Sequence, residues 1–192
     1  MSVFLFLLVA MAGLVLLIVL LAGFVIGVYN RLIRLGNQCD ASWANIQTEL
    51  QRRYDLIPNL VNTVKGYAAH ERELLEEVTR LREQCVANQG SPQEQAATES
   101  LLQGALGRLM VRLERYPDLK ANQNFLDLQA QLADTENRIQ MANSMYNATV
   151  RDFNNAVMVF PANMVAMVYA FKPRQFFELG TEAARQAPQV QF

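Results

Sequence analysis

The stretch RRYDLIPNLVNTVKGYAAHE, residues 52–71, decides how the chain is read. It holds two arginines, two acids, a proline and the only histidine of the sequence. Either it is an active site, or it is the corner where one helix turns into the next. The apolar residues on both sides favour the corner. Cys39, Trp43, Ile46 and Leu50 precede it at steps of three and four. Ile57, Leu60, Val64, Tyr67, Leu74, Val78, Leu81 and Cys85 continue beyond, with Glu71 interrupting the series. Such steps place the residues on one side of a helix. Asp55 and Pro58 suit a cap region followed by a first-turn proline, so a new helix is expected to open there. In this reading Arg52, Arg53 and Asp55 are surface or helix-end charges. Folding the hairpin about Asp55 would bring Gly66, Ala68 and Ala69 to the level of Trp43, leaving room for the indole.

Two further stripes follow. Leu102, Leu106, Leu109, Leu113 and Tyr116 form one; the other is long and runs from Phe125 through Leu132, Thr135, Ile139, Tyr146 and Phe153 to Phe160. Asn88-Gln89-Gly90-Ser91-Pro92 reads as a turn, and Tyr116-Pro117-Asp118 and Phe160-Pro161 as helix ends. No segment alternates with period two, so no sheet is expected. Four helices with short connections predict an all-α fold, an up-down-up-down antiparallel four-helix bundle with long helices.

Ahead of the bundle, Ser2 to Tyr29 carries no charged side chain. Roughly 20 apolar residues cross a bilayer core, so this run is long enough to span it. A cleaved signal peptide would want a basic start and a shorter apolar run. The segment is therefore read as a retained anchor, with Tyr29 at the interface. Arg31 and Arg34 follow at once, which places the bundle in the cytoplasm and the N-terminus outside the cell (inner) membrane, in a single-pass topology. The expected organisation is an anchor over 1–29, a bundle over 30–160, and an apolar, aromatic segment with a polar tail over 161–192. The long last helix would measure roughly 58 Å at 1.5 Å per residue. The first has a shorter length outside the membrane, so a bend is expected, with Gly36-Asn37 the first suspect.

Composition narrows the function. The chain has 192 residues and a formal net charge of −1. Its basic residues form no run, which argues against nucleic acid as a partner. Two cysteines, Cys39 and Cys85, are too few for a disulfide framework or zinc knuckle and read as buried thiols, although a bridge between two helices stays open. His70-Glu71-Arg72-Glu73 lacks the second histidine of a zincin helix. A single histidine excludes a bundle di-iron site. There is no G-x-S-x-G elbow and no phosphate loop, Gly104 and Gly107 being isolated in a helix. No catalytic, cofactor-binding or metal-ligating residues are assigned. Glu71 reads as a stripe-edge carboxylate that reaches solvent or pairs with an arginine.

The asparagines carry more information. Asn137, Asn143, Asn147, Asn154 and Asn155 fall within one helix, where asparagine is a poor residue. Asn143, Asn147 and Asn154 are candidates for hydrogen bonds between helices, within one chain or between copies; a solvated face is the alternative. The end of the chain offers the other candidates. Met164 to Phe171 is apolar, and Lys172, Arg174, Phe176 and Phe177 follow. Phe171, Phe176 and Phe177 suit a headgroup surface, a protein contact, or packing over the open end of the bundle.

Several blocks in order then carry a resemblance. SWANIQTELQRRYDLIPNLVNTVKGYAAHE (42–71), RYPDLKANQNFLDLQAQLADTEN (115–137), YNATVRDFNNAV (146–157) with FPAN, and FKPRQFFE (171–178) together resemble the LemA family of bacterial membrane proteins. The likeness runs from about Tyr29 to Glu178. It implies one N-terminal transmembrane helix, a helical bundle beside the membrane and no established enzymatic activity. Asn45, Thr48 and the Tyr169-Ala170 step, where a glycine is more usual, are small departures. The function expected is a non-enzymatic, membrane-anchored scaffold that self-associates as a homo-oligomer, aided by the small residues Ala12-Gly13 and Ala22-Gly23. The alternative is an adaptor for a membrane-bound protease or signalling protein. Its partners would be membrane lipid, further copies and a membrane protein.

Overall fold

A computed structural model describes residues 2–180, the side chains of residues 2, 3 and 69 excepted. The described residues are helical, without strands. Helix α1 spans Ser2–Lys65, and a short 3-10 turn covers Ala69–Glu71. Then come α2 (Arg72–Ala87), α3 (Pro92–Leu113), a single turn α4 (Pro117–Lys120), α5 (Gln123–Met158) and α6 (Ala162–Val168). The expected polar tail, residues 181–192, lies outside the described residues.

The corner is not where the sequence placed it. Helix α1 continues through Asp55 and Pro58 and ends only at Lys65. Proline in a helix interior removes one ladder bond, because it has no N–H for the carbonyl four residues back. That carbonyl belongs to Tyr54, and the Arg82 side chain supplies the missing donor, its Nε lying 2.8 Å from the Tyr54 oxygen. A side chain from α2 thus replaces the backbone donor that Pro58 lacks. The chain turns at Gly66–Ala68 instead, where the amides of Tyr67 and Ala68 both donate to the Val64 carbonyl at 2.9 Å. The helical ladder is also unbroken at Gly36-Asn37. Gly36 is buried, and a β-carbon built there would lie 3.7 Å from the Phe153 ring and from the Arg174 guanidinium.

The other boundaries follow local chemistry. Ser91 opens α3 with a capping box: its hydroxyl accepts from the Glu94 amide, and the Glu94 carboxylate accepts from the Ser91 amide at 2.7 Å. Pro92 sits in the first turn, where its missing N–H leaves no gap. Those bonds hold the Glu94 carboxyl below the usual range. Asn122 caps α5, accepting from the Phe125 amide at 3.1 Å.

The chain divides into two compact units. The first comprises residues up to Asp40 with Thr149–Arg174. Residues 4–24 of α1 are exposed here, long and apolar enough to cross a membrane. From Val25 the helix begins to be covered, and Leu32 and Cys39 are fully buried. The second unit comprises Ala41–Ala148 with the residues from Gln175 on. In it α2 packs along α3, and Ile46, Leu50, Ile57, Leu60, Val78, Leu102, Leu109, Phe125 and Ile139 are buried. Trp43 lies not against Gly66 and Ala68 but against Tyr146 and Phe177, ring centroids 5.2 and 5.4 Å away, and the Ala69 side chain lies outside the described residues. Because α1 does not fold back at Asp55, Gly66 lies about six helical turns beyond Trp43, just past the end of α1. Cys39 and Cys85 are both buried as free thiols.

Candidate functional site

In the second unit, helical phase carries charge into the core. Ile46, Leu50, Ile57 and Leu60 line the buried side of α1, and Arg53 and Tyr54 fill the gap between Leu50 and Ile57. Arg53, expected at the surface with Arg52 and Asp55, is 1 % exposed, while those two are exposed. On α3, Glu99 takes a core position between Ala96 and Leu102 and is also 1 % exposed.

These groups form one network. The Arg53 guanidinium donates to Glu99 through Nη2 and to Glu136 through Nη1, the latter at 3.0 Å. The Tyr54 hydroxyl donates to the other Glu99 oxygen. Gln103 Nε2 donates to the second Glu136 oxygen at 2.7 Å. The Cys85 thiol bonds Glu99 as well. Helices α1, α2, α3 and α5 therefore each contribute a group. Burial, and then the Glu99 charge, push the Cys85 thiol up to about 12. The same two causes raise the Tyr54 phenol well above its ordinary value. Both stay protonated at neutral pH and serve as donors. A thiol so shifted is a poor nucleophile, since the thiolate is the reactive form. What this arrangement does chemically is fix partners: a buried carboxylate satisfied by one guanidinium and two neutral donors tolerates few alternative packings.

Glu71 forms a second buried carboxylate site, 5 % exposed. It accepts from the Tyr116 hydroxyl at 3.1 Å, from Arg115 at 3.4 Å and from Arg112 at 3.5 Å. The arginine pairing that the sequence offered as one reading is thus present, with a tyrosine added. It ties the turn after α1 to the end of α3. His70, beside it, is exposed. Glu71 and Arg53 belong to different networks, so the sequence neighbours of the opening stretch do not converge on one site. Among the described residues no three His, Cys, Asp or Glu side chains are grouped to hold a metal ion.

The asparagines hold backbone that follows the last helix and has no regular element of its own. In the second unit, Asn147 Nδ2 donates to the Phe177 carbonyl and Asn147 Oδ1 accepts from the Phe177 amide, both at 2.9 Å. Its Nδ2 also donates to Asn143 Oδ1 at 2.9 Å. The Tyr146 hydroxyl adds a bond to the Gln175 carbonyl at 2.9 Å. Phe177 is fully buried, while Phe176 remains 39 % exposed. In the first unit, Asn154 does the same for Arg174: its Nδ2 donates to the Arg174 carbonyl at 2.9 Å, and its Oδ1 accepts from the Arg174 amide at 2.7 Å. The Arg174 guanidinium pairs with Asp40 and lies 5.3 Å from the Phe153 ring centroid. Phe171 packs edge-on against Tyr29 and Phe153, at 5.9 and 6.5 Å. A primary amide presents one donor and one acceptor side by side, so it can pair with a residue's N–H and C=O as a neighbouring strand would.

Sequence reasoning missed Arg53, Glu99, Gln103, Glu136 and Arg82. The signal was present for Arg53 and Glu99, each a charge at an apolar step of a helical stripe. Arg82 carried no such signal, since its role is set by a proline on another helix.

The chain is similar in sequence to several known proteins. The chain is 26 % identical over 174 residues to magnetosome protein MamQ of Magnetospirillum gryphiswaldense, covering 78 % of this chain and 64 % of that one. MamQ 2 of Paramagnetospirillum magneticum gives 26 % over 175 residues, with the same coverage of 78 % and 64 %. Protein LemA of Metamycoplasma hominis is 26 % identical over 141 residues, 73 % of this chain and 64 % of the other. The chain therefore spans just under two thirds of the length of the curated relatives it matches. The sequence profile of the LemA family covers residues 42–192, and this chain belongs to the LemA family.

Proposed function

We propose that the protein is a non-enzymatic, membrane-anchored scaffold in which four helical segments pack as an antiparallel bundle and copies associate as a homo-oligomer. The anchor is the apolar start of α1, with the N-terminus outside and the bundle in the cytoplasm of a bacterial cell. The observation that carries the reading is the pairing of its buried ionisable groups with one another, beside apolar faces that point outward. Arg53 and Glu99 are sealed from solvent in their own network. Leu101, Val111, Met141 and Met145 are 59–67 % exposed on α3 and α5. Gly104 and Gly107 lie on the exposed side of α3, and a β-carbon at Gly107 would meet no atom within 4 Å. Small and apolar residues on an outward helix face allow another helix to approach closely. Gly13 and Gly23 leave the same open space on the anchor.

The test is the mass of the full-length protein in nanodiscs, measured by light scattering with lipid subtracted. A uniform multiple of 21.7 kDa supports the scaffold, and Val111→Lys then lowers the multiple. A strict monomer rejects it. The adaptor reading draws on a different feature, a groove in the second unit with Val61, Ala68 and Leu75 on its floor and Lys65, Arg72 and Arg80 at its rim. Buried apolar residues flanked by charged ones suit the apolar face of a partner's amphipathic helix. Co-purification of one membrane protease or signalling protein with the monomer, lost in Leu75→Lys, would favour that alternative.

A further inference from the structure

Between Asp152 and Lys172 no residue carries a charged side chain. This run holds the end of α5, the turn at Phe160-Pro161 and all of α6. Its inward face is small: Val165 and Ala166 are buried. Its outward face is large and apolar. Met158, Val159, Phe160, Met164, Met167, Val168 and Tyr169 are 51–81 % exposed, and Met167 and Val168 are the most exposed at 81 % and 79 %. A patch of this kind on a water-facing turn calls for an occupant.

The geometry of the first unit says which. Thr149 hydrogen-bonds Cys39, and Phe153 lies against Gly36. The residues that follow on α5 thus meet α1 progressively nearer its N-terminus. Tyr169 then packs on Tyr29, ring centroids 4.8 Å apart, and Phe171 packs on the same ring. Tyr29 and Asn30 end the uncharged part of α1, and Arg31 and Arg34 follow. Phe171 ends the uncharged part of the later run, and Lys172 follows it. Both passages of the chain therefore change from apolar to basic at one level. Val25 and Val28, the last apolar turn before Tyr29, are half-covered, while residues 4–24 are not. Aromatic rings beside lysine and arginine at such a level are the signature of a bilayer interface.

We infer that the turn Met158–Tyr169 is a second membrane contact, seated in the boundary between headgroups and acyl chains of the leaflet in which the apolar part of α1 ends. The inference rests on α1 being a membrane anchor. The occupant is lipid, because the patch is continuous with the lipid-facing surface of α1 through the Tyr29–Tyr169 contact. Arg31, Arg34 and Lys172, all exposed, would face the anionic headgroups above it.

The experiment uses the full chain in nanodiscs of mixed phosphatidylethanolamine and phosphatidylglycerol. Met167→Cys and Leu17→Cys are each labelled with a polarity-sensitive fluorophore under native conditions, where Cys39 and Cys85 are buried. Lipids bearing a nitroxide, either near the headgroup or at mid-chain, act as quenchers. The expected result is a blue-shifted Met167→Cys label that loses emission to the headgroup-proximal nitroxide, with Leu17→Cys losing emission to the mid-chain one. If Leu17→Cys is quenched and Met167→Cys is not, the second contact is overturned and the anchor stands; a blue shift at residue 167 without quenching would then mean that a protein covers the turn. If Leu17→Cys is not quenched, the anchor and the second contact fall together.

Discussion

The two units of the chain are held together by different chemistry. The first uses aromatic rings, buried aliphatic residues and one ion pair at its edge, Arg174 with Asp40, whose carboxylate side chain is 65 % exposed. The second buries the Arg53 guanidinium and the Glu99 carboxylate among its helices, with the half-buried Glu136 as a second acceptor. Apolar packing is non-directional and forgiving of small shifts. A buried ion network is directional and fails abruptly when one member is lost. The second unit is therefore expected to break at single residues, and the first to yield gradually. What the two share is an asparagine that binds backbone on both edges, Asn154 in one and Asn147 in the other.

The sharpest way to break this contrast is Arg53→Met. It removes the guanidinium that faces the fully buried Glu99, for an expected loss of about 3–5 kcal/mol. Chemical denaturation of the solubilised chain, followed by Trp43 fluorescence, reads it directly. Adding Glu99→Gln should recover much of the loss, whereas a surface ion pair treated the same way would show little in either step.

Asn154→Ala and Asn147→Ala come next. Each strips two bonds from a backbone segment and is expected to lose about 1–3 kcal/mol. Hydrogen exchange should rise locally, at the Arg174 amide in the first variant and the Phe177 amide in the second. Equal effects would show that the shared device is independent of the packing around it.

Arg82→Met tests the side chain that replaces a backbone donor. It should lose about 1–3 kcal/mol by leaving the Tyr54 carbonyl unsatisfied. In a Pro58→Ala background the helix regains its own donor, and the same change should have little effect. A double-mutant cycle with no coupling would refute this account of how α1 tolerates Pro58.

The smallest effect is a gain. Ala170 has φ +57, and it follows α6 with the Phe171 amide bonded to the Ala166 carbonyl at 2.9 Å and its own amide to Met167 at 3.2 Å. This is a Schellman cap, which favours glycine at the left-handed position. Ala170→Gly should stabilise by up to about 1 kcal/mol, measured as a small rise in Tm.

Much of the architecture was legible in the sequence because helix periodicity is local. The stripes on α3 and α5 and the break at Asn88–Pro92 needed only neighbouring residues. The corner at Asp55 was misread because Pro58 is a local signal answered by a distant side chain, Arg82, 24 residues on. That error propagated. Once a turn was placed at Arg52–Asn59, Arg53 no longer sat in a stripe, and its burial could not be inferred. Read as one helix, Ile46, Leu50, Arg53, Ile57 and Leu60 keep steps of three and four, and the charge stands out by the same reasoning that singled out Glu71. The roles of Asn147 and Asn154 were harder to see, because backbone outside a regular element leaves no periodic trace. Asparagine content marked the helix, and only the geometry identified what its amides hold.

The ion pair between Asp40 and Arg174 joins residues 134 apart in sequence, and this has a consequence for synthesis. Ribosomes add about 5–20 residues per second, so on the order of ten seconds passes between the emergence of Asp40 and that of its partner. During that interval the inward faces of Leu32, Gly36 and Cys39 have none of the cover that Phe153, Phe171 and Arg174 later supply. The apolar start of α1 is available to the membrane from the first moments, but the turns just beyond it are closed only after residues 153–174 have emerged. A nascent chain stalled before Phe153 should present those turns to chaperones or to premature contacts with other chains, and one stalled after Arg174 has left the exit tunnel should not.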